Sequence, residues 1–266
     1  MEHNFENAIR LADGYSDIYI NKYTSKKPLD QYRISGSLDA LARQLVKDID
    51  SVDFIKFRDK KILGFTVQDD LGTTIAINKS IDYSNHDVRI GFTLGHEIGH
   101  VVLNHPISQS FTVSSDLYDG KEIFEQEANT FSANLLLPFR VFCYQLLKGF
   151  KISQIAAASG VSNTLIENRI RSSLRRRFGI ENREIDYILE EYKNCSYAIQ
   201  VKNTLLVRLL YKYVNLISEK SQSYRYTLFF DEANEIAHDI LDGLLGFTES
   251  DFTVYLPEED IKSLPF

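Results

Sequence analysis

His96-Glu97-Ile98-Gly99-His100 is the stretch on which the reading of this chain turns. At 100° per residue, His96, His100 and Glu97 fall on one side of a helix, while Leu94, Ile98, Val101 and Val102 occupy the other. Such a helix, predicted over Phe92 to Leu103 and stopping before Pro106, buries an apolar side and presents a polar one. Gly95 and Gly99 sit in its interior, where each costs roughly 1 kcal/mol relative to Ala. Their presence implies that another part of the chain approaches this helix closely.

Upstream of that helix, Leu38 to Ile49 reads as amphipathic helix after a polar N-terminal segment. Phe54–Phe57, Ile62–Val67 and Thr73–Asn78 then read as short strands, with Asp69-Asp70-Leu71-Gly72 as the turn between the last two. Downstream, a polar loop is expected to about Gly120, followed by a second helix over Glu122 to Leu137 that ends at Pro138. From Val141 onward the pattern is helical, with breaks near Gly149, Gly160, Gly179 and Ser221–Ser223. The predicted fold class is α+β: a core with a small antiparallel sheet over residues 1–140, a helix-turn-helix-like hairpin over 141–180, and a helical extension over 181–266.

Two imidazoles one helical turn apart, with a glutamate after the first, form the H-E-x-x-H pattern of zinc peptidases. The bland alternative is a core helix with two satisfied histidines. A catalytic zinc takes three protein ligands and leaves one position open, so a third ligand must come from elsewhere. Glu122, Glu125 and Glu127 on the next helix are the candidates. Phe124, Ala128, Phe131 and Leu135 mark its core stripe; Glu125 and Asn129 share a stripe beside it, whereas Glu127 points about 160° away from Glu125. The expected zinc ligands are therefore His96, His100 and Glu125, with Asn129 hydrogen-bonded to Glu125 as an orienting partner. Glu97 is the expected general base. A peptide substrate is expected to pair with a sheet edge such as Ile62–Val67. The group that would stabilise the oxyanion is left open among His105, Tyr118 and Tyr144.

Two stretches resemble the ImmA/IrrE family of metallo-endopeptidases: Gly91-Phe92-Thr93-Leu94-Gly95-His96-Glu97-Ile98-Gly99-His100, and Glu125-Gln126-Glu127-Ala128-Asn129-Thr130-Phe131-Ser132-Ala133-Asn134-Leu135-Leu136-Leu137-Pro138. The second is the more discriminating. The resemblance covers roughly Leu38 to Leu174 and also puts the third ligand at Glu125. It implies a thermolysin-like zincin core that cleaves helix-turn-helix repressors of mobile elements or stress regulons. Ser132 and Asn134 depart from the family, which often has alanine and an acidic or small residue there.

Ile152 to Ile166 has the shape of a helix-turn-helix, with Gly160 at the turn and Ser162 as cap of the second helix. Arg169, Arg171, Arg175, Arg176 and Arg177 follow, a basic island suited to DNA phosphates. The resemblance includes such a segment as scaffold or substrate-docking element. The competing reading is a DNA-binding transcriptional regulator with a structural or sensory metal site. A formal charge of −7 argues against non-specific nucleic-acid or acidic-membrane binding as the main task. Leu205 to Ile217 is broken by Arg208 and Lys212, too short for a membrane span. Met1-Glu2-His3-Asn4 opens no basic leader with an apolar run, and Cys143 and Cys195 are too few for a disulfide scaffold. A cytoplasmic protein with reduced thiols is expected. Beyond Asn182, where Phe229, Phe230, Asp231 and Glu232 stand out, no chemical motif is seen, and the oligomeric state is left open.

Overall fold

The structure, a computed structural model, describes residues 5–23, 29, 32–35, 38–46, 48–70, 72–79, 86–106, 110–113 and 122–220. The fold is α+β. Helices α1 (Phe5–Tyr23) and α2 (Leu38–Leu45) precede strands β1 (Ser51–Ile55), β2 (Ile62–Asp69) and β3 (Gly72–Asn78). Helix α3 (His86–Val102), strand β4 (Ser110–Val113) and helix α4 (Glu122–Leu136) complete this part. Six further helices follow: α5 (Phe139–Leu147), α6 (Ile152–Ser159), α7 (Asn163–Phe178), α8 (Asn182–Lys193), α9 (Ala198–Lys202) and α10 (Leu205–Lys220). None of the described helices is long and apolar enough to cross a membrane.

The four strands lie in the order β1-β3-β2-β4. β2 and β3 form the expected hairpin, closed at the Asp69–Gly72 pair, where Gly72 takes a φ of 119° that its turn requires. Three corrections follow. The sheet is mixed rather than antiparallel, because β1 runs parallel to β3, Ser51 opposite Thr74. The chain leaving β1 steps past one strand position before entering β2, so β3 fits between them with the direction of β1. The polar stretch after α3 contains β4, which pairs antiparallel with β2. Ile62–Val67 is therefore an inner strand, bonded on both sides, and offers no free edge for a peptide. The polar N-terminal segment, which carries no predicted element, forms α1, which packs on α4 with Ala8, Ala12 and Tyr19 buried.

The chain divides into two compact units, Met1–Phe139 with Ala158–Val161, and Arg140–Ala157 with Ser162–Phe266. In the first, α3 lies between the sheet and α4. A Cβ on Gly64 of β2 would stand 2.7 Å from Thr93 of α3, and Cβ atoms on Gly91, Gly95 and Gly99 would meet Ser35, Ser132 and Ala128 at 2.9, 2.7 and 3.2 Å. The last two contacts set a row of glycines one turn apart directly against the small residues of α4. The Ser132 hydroxyl donates to the Phe92 carbonyl at 2.9 Å, tying the two helices together. The Tyr32 hydroxyl donates to the Leu135 carbonyl at 2.8 Å and fixes the far end of α4.

The second unit is built on apolar helix faces. Ile166, Ile170, Leu174 and Phe178 of α7 are buried, as are Ile188 and Leu189 of α8 and Leu206 and Leu209 of α10. Ser162 caps α7, its hydroxyl accepting from the Leu165 amide at 3.1 Å, and Gly179 ends it in the left-handed region. Cys143 and Cys195 are free thiols. Phe229 to Glu232 and Ser221–Ser223 lie outside the described residues.

Candidate metal centre

Helix α3 is buried on both its sides. Leu94 and Ile98 are 2% and 1% exposed, and so are the polar groups opposite them: His96 1%, Glu97 0% and His100 3%. Polar groups are retained in an interior only where partners compensate for lost water, so the partners define the site.

His96 and His100 bring their Nε2 atoms to 3.0 Å. Glu125 reaches across from α4, with Oε2 3.1 Å from His96 Nε2 and Oε1 3.5 Å from His100 Nε2. Ligand atoms bound tetrahedrally at about 2.0–2.1 Å from one ion lie about 3.3 Å apart, so these spacings fit a shared cation. Among the described residues, His96, His100 and Glu125 are the one group of three whose ligand atoms cluster in this way, all within 4.8 Å. Glu122 and Glu127 are not in it.

The electrostatics match the geometry. Burial pushes the Glu125 carboxyl up, but hydrogen bonds with His100 and His96, and their charge, outweigh it and hold the group down at about 2. Burial pulls His96 down, yet the Glu125 hydrogen bond and the charges of Glu97 and Glu125 leave it raised. The three groups already attract a positive charge at the point where they converge.

Asn129 belongs to the site with a different partner from the expected one. Its Oδ1 lies 2.9 Å from His96 Nδ1 rather than bonding Glu125. Glu125 and Asn129 share a helix stripe, but each meets a different nitrogen of the same ring. Since Oδ1 can only accept, His96 carries a proton on Nδ1, which leaves Nε2, the atom facing Glu125 and His100, as the one that would bind a metal. Glu97 receives a hydrogen bond at Oε2 from the Thr66 hydroxyl of β2, at 2.7 Å. Sequence reasoning missed Thr66, because a threonine in a strand carries no signal beyond its β propensity.

His105 and Glu127 are the other surprise. His105 Nδ1 lies 3.0 Å from His100 Nδ1, and His105 Nε2 lies 3.0 Å from Glu127 Oε2. His105, weighed above as an oxyanion group, is therefore committed to His100 on one side and Glu127 on the other. Of the other two oxyanion candidates, Tyr144 is in the second unit with the Lys148 ammonium over its ring, and Tyr118 lies outside the described residues. A readable signal for His105 existed. Asn104 takes a φ of 54°, its amide bonds the Val101 carbonyl, and the His105 amide bonds the His100 carbonyl. This is a Schellman helix end, which folds the second residue past the cap back over the last turn.

In the second unit, three arginines of the basic island have intramolecular partners. Arg169 is 5% exposed with its guanidinium over the Phe142 ring, Arg171 pairs with Asp186, and Arg175 donates to Asn182 Oδ1.

The family described as the IrrE N-terminal-like domain, a peptidase family, matches residues 52–171. "Uncharacterized immunity region protein 2" of Bacillus phage phi105 is 30% identical over 115 residues, which span 43% of this chain and 70% of the phage protein. With both signature helices inside the matched region, the chain belongs to the ImmA/IrrE family of peptidases with an IrrE N-terminal-like domain.

Proposed function

We propose that the protein is a zinc-dependent endopeptidase that cleaves a helix-turn-helix transcriptional repressor and so relieves repression. The observation that carries this reading is the convergence of His96, His100 and Glu125 on one point, with Glu97 the next residue along α3 and its charge felt at His96. Zinc bound by those three side chains would supply Lewis acidity, bringing the pKa of water to about 7 and polarising a peptide carbonyl. Glu97 is the general base: it takes a proton from water and delivers it to the leaving amine. Thr66 donates to Oε2 and so helps hold the Glu97 carboxylate in place for that transfer. Asn129 keeps His96 Nε2 aimed at the cluster.

The repressor as substrate rests on family membership and on the phage relative, whose name assigns it to an immunity region. The arginine partners support the basic island as part of a helical scaffold, and the cytoplasm is the compartment where such a substrate is met. The test incubates the purified full chain with the helix-turn-helix repressor encoded beside its gene. Cleavage that needs zinc, stops with a chelator, and falls by about 100- to 10,000-fold in Glu97→Gln protein with its zinc content intact is the expected result. Equal cutting by wild-type and Glu97→Gln protein would overturn the assignment.

A further inference from the structure

Two side chains outside the ligand trio complete a chain of hydrogen bonds that ends on one of its ligands. Glu127, two residues after Glu125 on α4, is buried, and its Oε2 meets His105 Nε2 at 3.0 Å. A carboxylate only accepts, so His105 donates from Nε2 and its Nδ1 is left with a lone pair. That lone pair faces His100 Nδ1 at 3.0 Å and can be satisfied only by a proton on it. A neutral imidazole has one N–H, so His100 then keeps a lone pair on Nε2, the atom that meets Glu125 and His96, where a bound metal would take the place of the protons that otherwise bridge the histidines to the carboxylate. His105 is itself held in place: it is 6% exposed, bonded through its backbone to the His100 carbonyl at 3.0 Å, and set against the Phe124 ring at 4.8 Å between centroids.

We propose that His105 and Glu127 are positioning residues that hold His100 in the tautomer able to bind the metal, doing for His100 through two side chains what Asn129 does for His96 through one. The proposal rests on the metallopeptidase reading above. Neither residue touches substrate. The two ligand histidines thus differ in their support: a single amide near solvent for His96, and a buried imidazole backed by a carboxylate for His100.

The test measures the zinc affinity of the full chain by competition with a chromophoric chelator, beside thermal unfolding of the metal-free protein. His105→Leu, which removes the acceptor, is expected to weaken zinc binding about 10- to 100-fold. His105→Asn places Oδ1 where Nδ1 stood, so His100 keeps an acceptor, and affinity within about threefold of wild type is expected. Glu127→Leu weakens binding in the wild-type background and has no further effect in the His105→Asn background, because the asparagine no longer passes the carboxylate's influence to His100. The Asn pair keeps the test decisive even if His105→Leu does not fold. Wild-type affinity in His105→Leu, no recovery in His105→Asn, or an equal loss from Glu127→Leu in both backgrounds would each overturn the relay while leaving a zinc-binding wild type and its proposed function standing. Absence of zinc binding by wild type would sink both.

Discussion

The two compact units solve the same packing problem in opposite ways. In the second, α7, α8 and α10 bury isoleucine, leucine and phenylalanine, and charge is mostly near the rim, as in the Lys193–Glu167 pair at 3.6 Å, with Arg169 buried over the Phe142 ring. In the first, α3 meets α4 through glycines against small residues, and the space beside that seam holds Glu97, Glu125 and Glu127 with three histidines. Glycines bring the helices close enough for short polar side chains to bond across. They also forgo the apolar area that a leucine seam would bury, so stability there depends on hydrogen bonds and on the charge the site attracts. The lesson is that the chain gathers its costliest polar cluster in one unit and relies mainly on conventional apolar packing in the other.

The contrast can be broken most sharply at Glu125. Glu125→Ala should weaken zinc binding by more than the roughly 100-fold that outer hydrogen-bond partners contribute, as read by metal content after dialysis. In the second unit, Leu174→Ala should cost about 2–5 kcal/mol in urea unfolding while leaving the zinc affinity of the folded protein unchanged. If affinity fell too, the two units would not be separable in this way. Gly99→Ala should cost about 1–3 kcal/mol, although alanine is the better helix former, because its Cβ would press on the Ala128 backbone and the Phe131 ring. A stabilising Gly99→Ala in thermal unfolding would show that the seam is looser than the contacts indicate. The smallest effect is expected from Ser162→Ala, about 1 kcal/mol through loss of the α7 cap with zinc binding untouched.

What the sequence made legible follows the same division. The converging side chains, His96 and His100 on α3 and Glu125 on α4, could be picked out because each question concerned spacing on one helix, where 100° per residue is enough. The close approach at Gly95 and Gly99 was legible from its cost, and the helix breaks at Gly149, Gly160 and Gly179 from residue type. Features set by tertiary pairing were not legible. α1 was hidden because its inward face opens with Ala8, Ala12 and Ser16, too small or polar to give a strong stripe, and the exposed Gly14 interrupts the helical pattern. β4 was hidden in a Ser-Phe-Thr-Val run that needs β2 to become a strand. The parallel β1 depends on a skipped strand position that no local pattern encodes. Asn129 was assigned to the site from its stripe, yet its partner required knowing how the His96 ring stands between the two helices.

The row of Gly95 and Gly99 against Ser132 and Ala128 acts as a locating key for the whole centre. Because the contact is nearly backbone to backbone, it has discrete positions, and sliding by one notch moves a helix about 5.4 Å along its axis. That distance exceeds the 3.0–3.5 Å that separate the donor atoms from one another. A misregistered pair of helices would therefore gather no trio at all, and the alignment of two bare stretches of main chain sets whether a cation finds a home.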